Sequence, residues 1–203
     1  MTDLTRRDVL KFLAAAPLAE FAVSALDVER FSTMTRDALE TLAERGQQYR
    51  PKHFSPAEWR AVRILVNMII PRDERSGSAT EAGVPEFMDF TLGDRESMRQ
   101  WVHEGLAWLD ADAQRRFSKP FADSTMTERK TILDDIAWPK RAAPELQPGV
   151  RFFTRFRDFT ASGFWSSKMG VQDLGYIGNT VQVQWPGCPP AALRKLGVRY
   201  PSA

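Results

Sequence analysis

The chain has 203 residues, 43% of them hydrophobic, and its 28 Lys and Arg against 26 Asp and Glu leave a net charge of +2. That is enough chain for one domain with a sizeable core, and the even charge balance argues against a phosphate-binding surface. A single cysteine, Cys188, excludes an intrachain disulfide, a cysteine-held iron–sulfur cluster and a CxxCH haem attachment, and His53 and His103, fifty residues apart, cannot build a His-rich zinc site. Each histidine reads as a surface or capping residue rather than a ligand.

Residues 5–11 read Thr5-Arg6-Arg7-Asp8-Val9-Leu10-Lys11, followed by an alanine-rich apolar run from Phe12 to Leu26. Paired arginines ahead of a short apolar stretch are the outline of a twin-arginine (Tat) export signal, read by the Tat translocase through Arg6 and Arg7. The run is about fifteen residues, broken by Pro17 and Glu20, and so falls short of the roughly 20 that cross a bilayer as a helix. Val23-Ser24-Ala25 is an acceptable peptidase site, which sets residues 1–25 as the signal and the periplasm as the expected destination.

A helix is expected from about Thr35 to Tyr49, with Met34, Ala38, Leu39 and Leu42 on one face and Gly46 fraying its end. The next is better specified. Ser55 is an N-cap, Pro56 occupies the first helical position, Glu58 completes a Ser-x-x-Glu capping box, and Phe54 with Trp59 can close a hydrophobic staple. Its apolar positions, Trp59, Val62, Leu65, Val66, Met68, Ile69 and Ile70, cover more than one face, which places it centrally; Pro71 stops it.

Residues 72–83 form a polar loop whose Asp73, Glu74 and Glu81 lack the ligand spacing of a calcium loop and read as solvated. Helical patterning resumes over 85–92 and again over 97–109, with a continuing tendency to Phe117. Thr125 and Glu128 make a second capping box before Ile132, Leu133 and Ile136, and Pro139 ends that helix. Over 150–163, Phe152, Phe153, Phe156, Phe159 and Thr160 recur at spacings of three and four, a stripe that reads as core or, alternatively, as an exposed docking face.

From Ser166 the texture changes. Gly170, Gly175, Gly178, Gly187 and Gly197 alternate with aromatic residues and with the run Trp185-Pro186-Gly187-Cys188-Pro189-Pro190, and period-two alternation appears only over 180–184. This reads as a non-helical arm, too long for a resting loop in a compact domain and therefore functional. The fold class is mainly α: a signal at 1–25, a compact helical domain at 26–165, and an extended partner-binding arm at 166–203.

Several segments together resemble the gluconate 2-dehydrogenase subunit 3 family. They are the Tat-type signal, the capped helix ending Ile69-Ile70-Pro71-Arg72-Asp73, then Ala82-Gly83-Val84-Pro85 before Phe87-Met88-Asp89, Gly105-Leu106-Ala107-Trp108-Leu109-Asp110, Phe152-Phe153, Gly163-Phe164-Trp165, and Gly175-Tyr176-Ile177-Gly178-Asn179. The resemblance implies a small subunit without catalytic residues, belonging to a periplasmic FAD-dependent dehydrogenase of sugars or sugar acids. The flavin would lie in a large subunit of the glucose-methanol-choline (GMC) oxidoreductase type that lacks its own signal and is exported folded with this chain. Electrons would pass on to a c-type cytochrome carrying haem c.

Within that frame Trp165, Gly175, Tyr176, Gly178, Asn179 and Trp185 are the expected partner contacts, the large aromatics as anchors. An unpaired cysteine in an exported chain suggests an intermolecular disulfide, so Cys188 either locks the two subunits or is an idle thiol. A free-standing helical binding module using the Phe152–Phe159 face or the 72–83 loop is the alternative. An enzyme in its own right is the weakest reading, since no nucleophile–base pair or convergent carboxylate pair stands out.

Overall fold

The computed structural model describes residues 24–176 and 187–200. These carry helices α1 (Ala25–Glu44), α2 (Pro56–Ile69), α3 (Val84–Asp94), α4 (Glu96–Phe117), α5 (Met126–Ile136), α6 (Gln147–Ser166), α7 (Lys168–Leu174) and α8 (Pro190–Leu196), with short 3-10 turns at Phe121–Asp123 and Pro144–Leu146 and no strand among the described residues. The mainly α expectation holds. The alternating stretch at 180–184 lies outside the described residues.

The caps set the boundaries. Ser55 Oγ accepts from the Glu58 N–H at 3.3 Å while Glu58 accepts from the Ser55 N–H at 2.8 Å, so the first box forms in both directions. The Phe54 and Trp59 rings sit 5.9 Å apart as the staple requires. Thr125 and Glu128 repeat the box at the start of α5. Two boundaries differ from expectation. α1 begins ten residues earlier than Thr35 and stops at Glu44, because Ser24 caps it by accepting from the Asp27 N–H and Gly46, at φ +61°, turns the chain away after Arg45. The expected cleavage point after Ala25 therefore falls on the first residue of α1.

The second correction concerns the tail, parts of which are helical. Ser167 accepts from the Gly170 N–H to start α7, Gly175 ends it in the left-handed region, and α8 runs from Pro190 at its first turn to a left-handed Gly197. The glycines that read as breakers of helix serve as its C-terminal stops. α7 packs on α6, so the helical domain continues past Trp165 to Leu174.

α3 is the hub, with Val84, Phe87, Met88, Asp89, Thr91 and Leu92 all buried and α1, α2, α4 and α6 packed around it. α6 lies along α4, and glycines let them close. A Cβ on Gly105 would stand 1.8 Å from the Phe152 ring, one on Gly149 2.3 Å from Trp108, and one on Gly163 2.7 Å from Phe87. The stripe Phe152, Phe153, Phe156, Phe159 and Thr160 is wholly buried, which decides for core and against the docking face.

Asp89, 1% exposed, accepts three hydrogen bonds from the chain between α1 and α2: Tyr49 Oη–H at 2.7 Å, Lys52 N–H at 2.9 Å and His53 N–H at 2.8 Å. Burial first, and then the bond to Asp89, push the Tyr49 phenol far above its ordinary value, so it stays protonated and donates. Tyr49 packs between Trp59 and Phe90, with centroids 5.9 and 5.8 Å away.

Candidate docking surface

Of the residues expected to meet a partner, Trp165 lies at the corner where α6 turns into α7, and Gly175 and Tyr176 follow the other end of α7. Trp165 sets its ring edge-on to the buried Phe164 at 4.9 Å yet stays 40% exposed. The turn is tight enough that a Cβ on Gly170 would meet the Phe164 carbonyl oxygen at 2.0 Å. Gly175, at φ +64°, lets the Tyr176 N–H donate back to the Val171 carbonyl at 3.2 Å, and this leaves Leu174 60% and Tyr176 63% exposed. Three large apolar side chains thus stand exposed along 165–176, the kind of exposure that marks a surface for a partner.

Beside the corner runs a cavity of about 330 Å³ between α1 and α7, with Leu39, Phe87 and Met169 among its apolar lining and Arg36, Lys168 and Gln172 among its polar lining. Ser32 of α1 and Ser166 of α6 share a hydrogen bond of 2.5 Å at its side. The 72–83 loop props the corner from below. Arg75 reaches Asp173 of α7 at 3.3 Å, and Met169 lies against Gly77, where a Cβ would be 2.9 Å from its terminal methyl.

That loop is internally satisfied. Asp73 accepts from the Arg75 and Ser76 N–H groups at 2.8 Å each, and the Ser76 bond, then that of Arg75, holds its carboxyl below the ordinary range. Glu81 accepts from the Ser78 N–H at 2.7 Å and pairs with Arg72, and is lowered by those two in that order. Among the described residues no group of three or more His, Cys, Asp and Glu is placed to hold a metal ion. The histidines do structural work: His103 Nδ1 lies 2.5 Å from Glu58 Oε1, tying α4 to the capping box of α2, and His53 gives its backbone N–H to Asp89.

Cys188 belongs to the separate described segment 187–200. Its N–H donates to Tyr200 Oη at 2.7 Å, and the Tyr200 ring lies on Gly187, whose φ of +79° turns the chain beneath it. The sulfur is exposed in this closed turn. Arg6, Arg7, Gly178, Asn179 and Trp185 lie outside the described residues.

Two features of the surface had no forewarning in the sequence. One is the apolar lining from α1 and α3, which depends on helix packing between distant segments. The other is the Arg75–Asp173 strut, which joins residues 98 apart in the chain. Glu86 is a third buried feature. It is raised by burial foremost, with Arg63 3.9 Å from one oxygen and no hydrogen-bond partner for the other among the described residues.

No described helix is long and apolar enough to cross a membrane. No two glycines in the chain stand two apart, so no GxGxxG phosphate cradle exists for a dinucleotide. A family model described as gluconate 2-dehydrogenase subunit 3 matches residues 56–187, from the first residue of α2 to the residue before Cys188. No curated protein and no solved structure matches the chain.

Proposed function

Because this chain belongs to the gluconate 2-dehydrogenase subunit 3 family, we propose that it is the non-catalytic small subunit of a periplasmic, FAD-dependent dehydrogenase of sugars or sugar acids. It would escort a GMC-type large subunit through the Tat route and stabilise it afterwards. Family membership makes it a subunit of an oxidoreductase complex. The observation that supports the escort role is the exposure of Trp165, Leu174 and Tyr176 along the α6–α7 segment.

The division of labour follows from the chemistry each chain can offer. The large subunit folds around its flavin in the cytoplasm, and this chain covers part of its apolar surface with the α6–α7 corner and the glycine-aromatic segment beyond it. Arg6 and Arg7 then address the folded pair to the translocase. An arm that orders on binding loses conformational entropy, so it needs a broad contact in return, with Trp165, Tyr176 and Trp185 as the anchors and Gly175, Gly178 and Asn179 shaping the chain between them. Electrons leave the flavin for a c-type cytochrome of the same complex, whose haem this chain does not bind.

Cys188 supplies a covalent lock. The Tyr200 hydrogen bond and Gly187 hold its sulfur in an exposed turn, suited to a disulfide with the large subunit once the pair reaches an oxidising compartment. Replacing Arg6 and Arg7 together by Lys, in cells carrying both subunits, tests the escort: flavin-dependent sugar oxidation should disappear from the periplasm and the large subunit should stay in the cytoplasm. Normal periplasmic activity would refute it. Cys188→Ser should remove a reducible heterodimer band from non-reducing gels, and an unchanged band pattern would refute the lock.

A further inference from the structure

Glu86 stands in the first turn of α3 and is 6% exposed. Its Oε1 lies 3.9 Å from the Arg63 guanidinium of α2, too far for a hydrogen bond, and its Oε2 meets no hydrogen-bond partner among the described residues. Three residues on, and so on the same side of the helix, Asp89 takes three donors: the Tyr49 Oη–H and the N–H groups of Lys52 and His53. Two carboxyl groups are buried within one turn of α3, and the donors go to one of them.

That allocation divides their roles. A carboxyl group deprived of both water and donors favours its neutral form, whereas three donors suit a carboxylate. Burial foremost pushes the Glu86 carboxyl up; its own N–H and then Arg63 oppose the rise, the Asp89 charge adds to it, and the net direction is upward. Glu86 in turn adds to the upward push on Tyr49. Arg63 of α2, Asp89 of α3 and Tyr49 of the α1–α2 connection are thus the titratable groups that face it, and α1, α4 and α6, which also pack on α3, add none to this set among the described residues. Arg63 is half-exposed and has no other carboxylate partner among the described residues.

We propose that Glu86 is a proton-operated joint between α2 and α3. Carrying its proton, it sits neutral in the contact. On releasing the proton to solvent it becomes a second buried negative charge beside Asp89, countered among charged groups by Arg63 alone, and the contact loosens. Because Asp89 of the same helix grips Tyr49, Lys52 and His53, the joint also governs how firmly the α1–α2 connection is held. The unfolded carboxyl titrates near 4.5 and the folded one above it, so the stability that the neutral form contributes is whole below 4.5 and is lost as pH rises through the folded value. The inference is independent of the escort role, since it uses neither the α6–α7 segment nor Cys188.

The test is a carbon-13 titration of the Glu86 side-chain carboxyl in the labelled chain, assigned through its own backbone, with the melting temperatures of the parent and of Glu86→Gln followed from about pH 4 to about pH 8. The Glu86 midpoint should lie above 4.5. The melting temperature of Glu86→Gln relative to the parent should rise across that range by roughly 2 °C or more, since the variant keeps a neutral side chain at every pH. Arg63→Gln should move the Glu86 midpoint further up. A midpoint at or below 4.5, read in the parent whether or not the variants fold, would overturn the proposal. So would a melting difference that stays level or shrinks as pH rises, and an unmoved midpoint in Arg63→Gln would remove Arg63 from the joint.

Discussion

Asp89→Ala removes the acceptor on which the whole α1–α2 connection hangs. Three hydrogen bonds to one buried carboxylate are lost, each worth about 1.5–3 kcal/mol when the acceptor is charged. Relief of the buried charge offsets part of that gross 4.5–9, so the net loss is about 3–5 kcal/mol. In a chain of this size that lowers the melting temperature by roughly 6–20 °C. Asp89→Asn keeps the shape and one good acceptor but turns an amide N–H₂ toward a donor, and should lose about 2–3 kcal/mol; Tyr49→Phe removes one bond and should lose about 1–2. Urea unfolding followed by circular dichroism gives the series, and amide exchange at Lys52 and His53 gives the local consequence, with protection falling most in Asp89→Ala. An Asp89→Ala variant within about 1 kcal/mol of the parent, or with both amides still protected, would refute the view that Asp89 organises this region.

Gly105→Ala should destabilise by about 2–3 kcal/mol, since the new Cβ would lie 1.8 Å from the Phe152 ring and the α4–α6 contact must open; near-UV circular dichroism should weaken with it, and a loss under about 0.5 kcal/mol would contradict that packing. Glu128 is lowered to about 2, by Lys119 foremost and then by the Thr125 N–H. Its contribution is therefore present above the ordinary value of 4.5 and is lost as pH falls from there toward about 2. Glu128→Gln should flatten that part of the acid-unfolding curve and leave the neutral limb parallel to the parent's, and an identical acid limb would refute the assignment.

Legibility in the sequence tracked how local each determinant is. The α2 and α5 starts were readable because each capping box is closed within four residues, and the Phe152–Phe159 stripe because burial follows the helical period. The start of α1 was hidden because the apolar run from Phe12 to Leu26 leads straight into it. α7 and α8 were missed because a Gly beside aromatic residues reads as irregular chain, whereas Gly175 and Gly197 stop short helices, the first started by the Ser167 cap and the second by Pro190 in its first turn. Asp89 carries nothing in its own neighbourhood to show that residues 49–53 converge on it; that depends on α3 passing beneath a distant segment. In the candidate surface, Trp165 and Tyr176 were identifiable as large aromatics in a glycine-rich setting, but the α1 and α3 residues beside them were not.

The central claim, that this chain is the escort of a flavin-bearing subunit, is tested most directly by affinity capture of this chain after co-expression with the signal-less GMC-type large subunit, followed by an absorbance scan. The account predicts a yellow, sugar-oxidising complex that dissociates or loses yield when Trp165 and Tyr176 are replaced by Ala. Colourless chain recovered alone, with an active large subunit left behind, would contradict it.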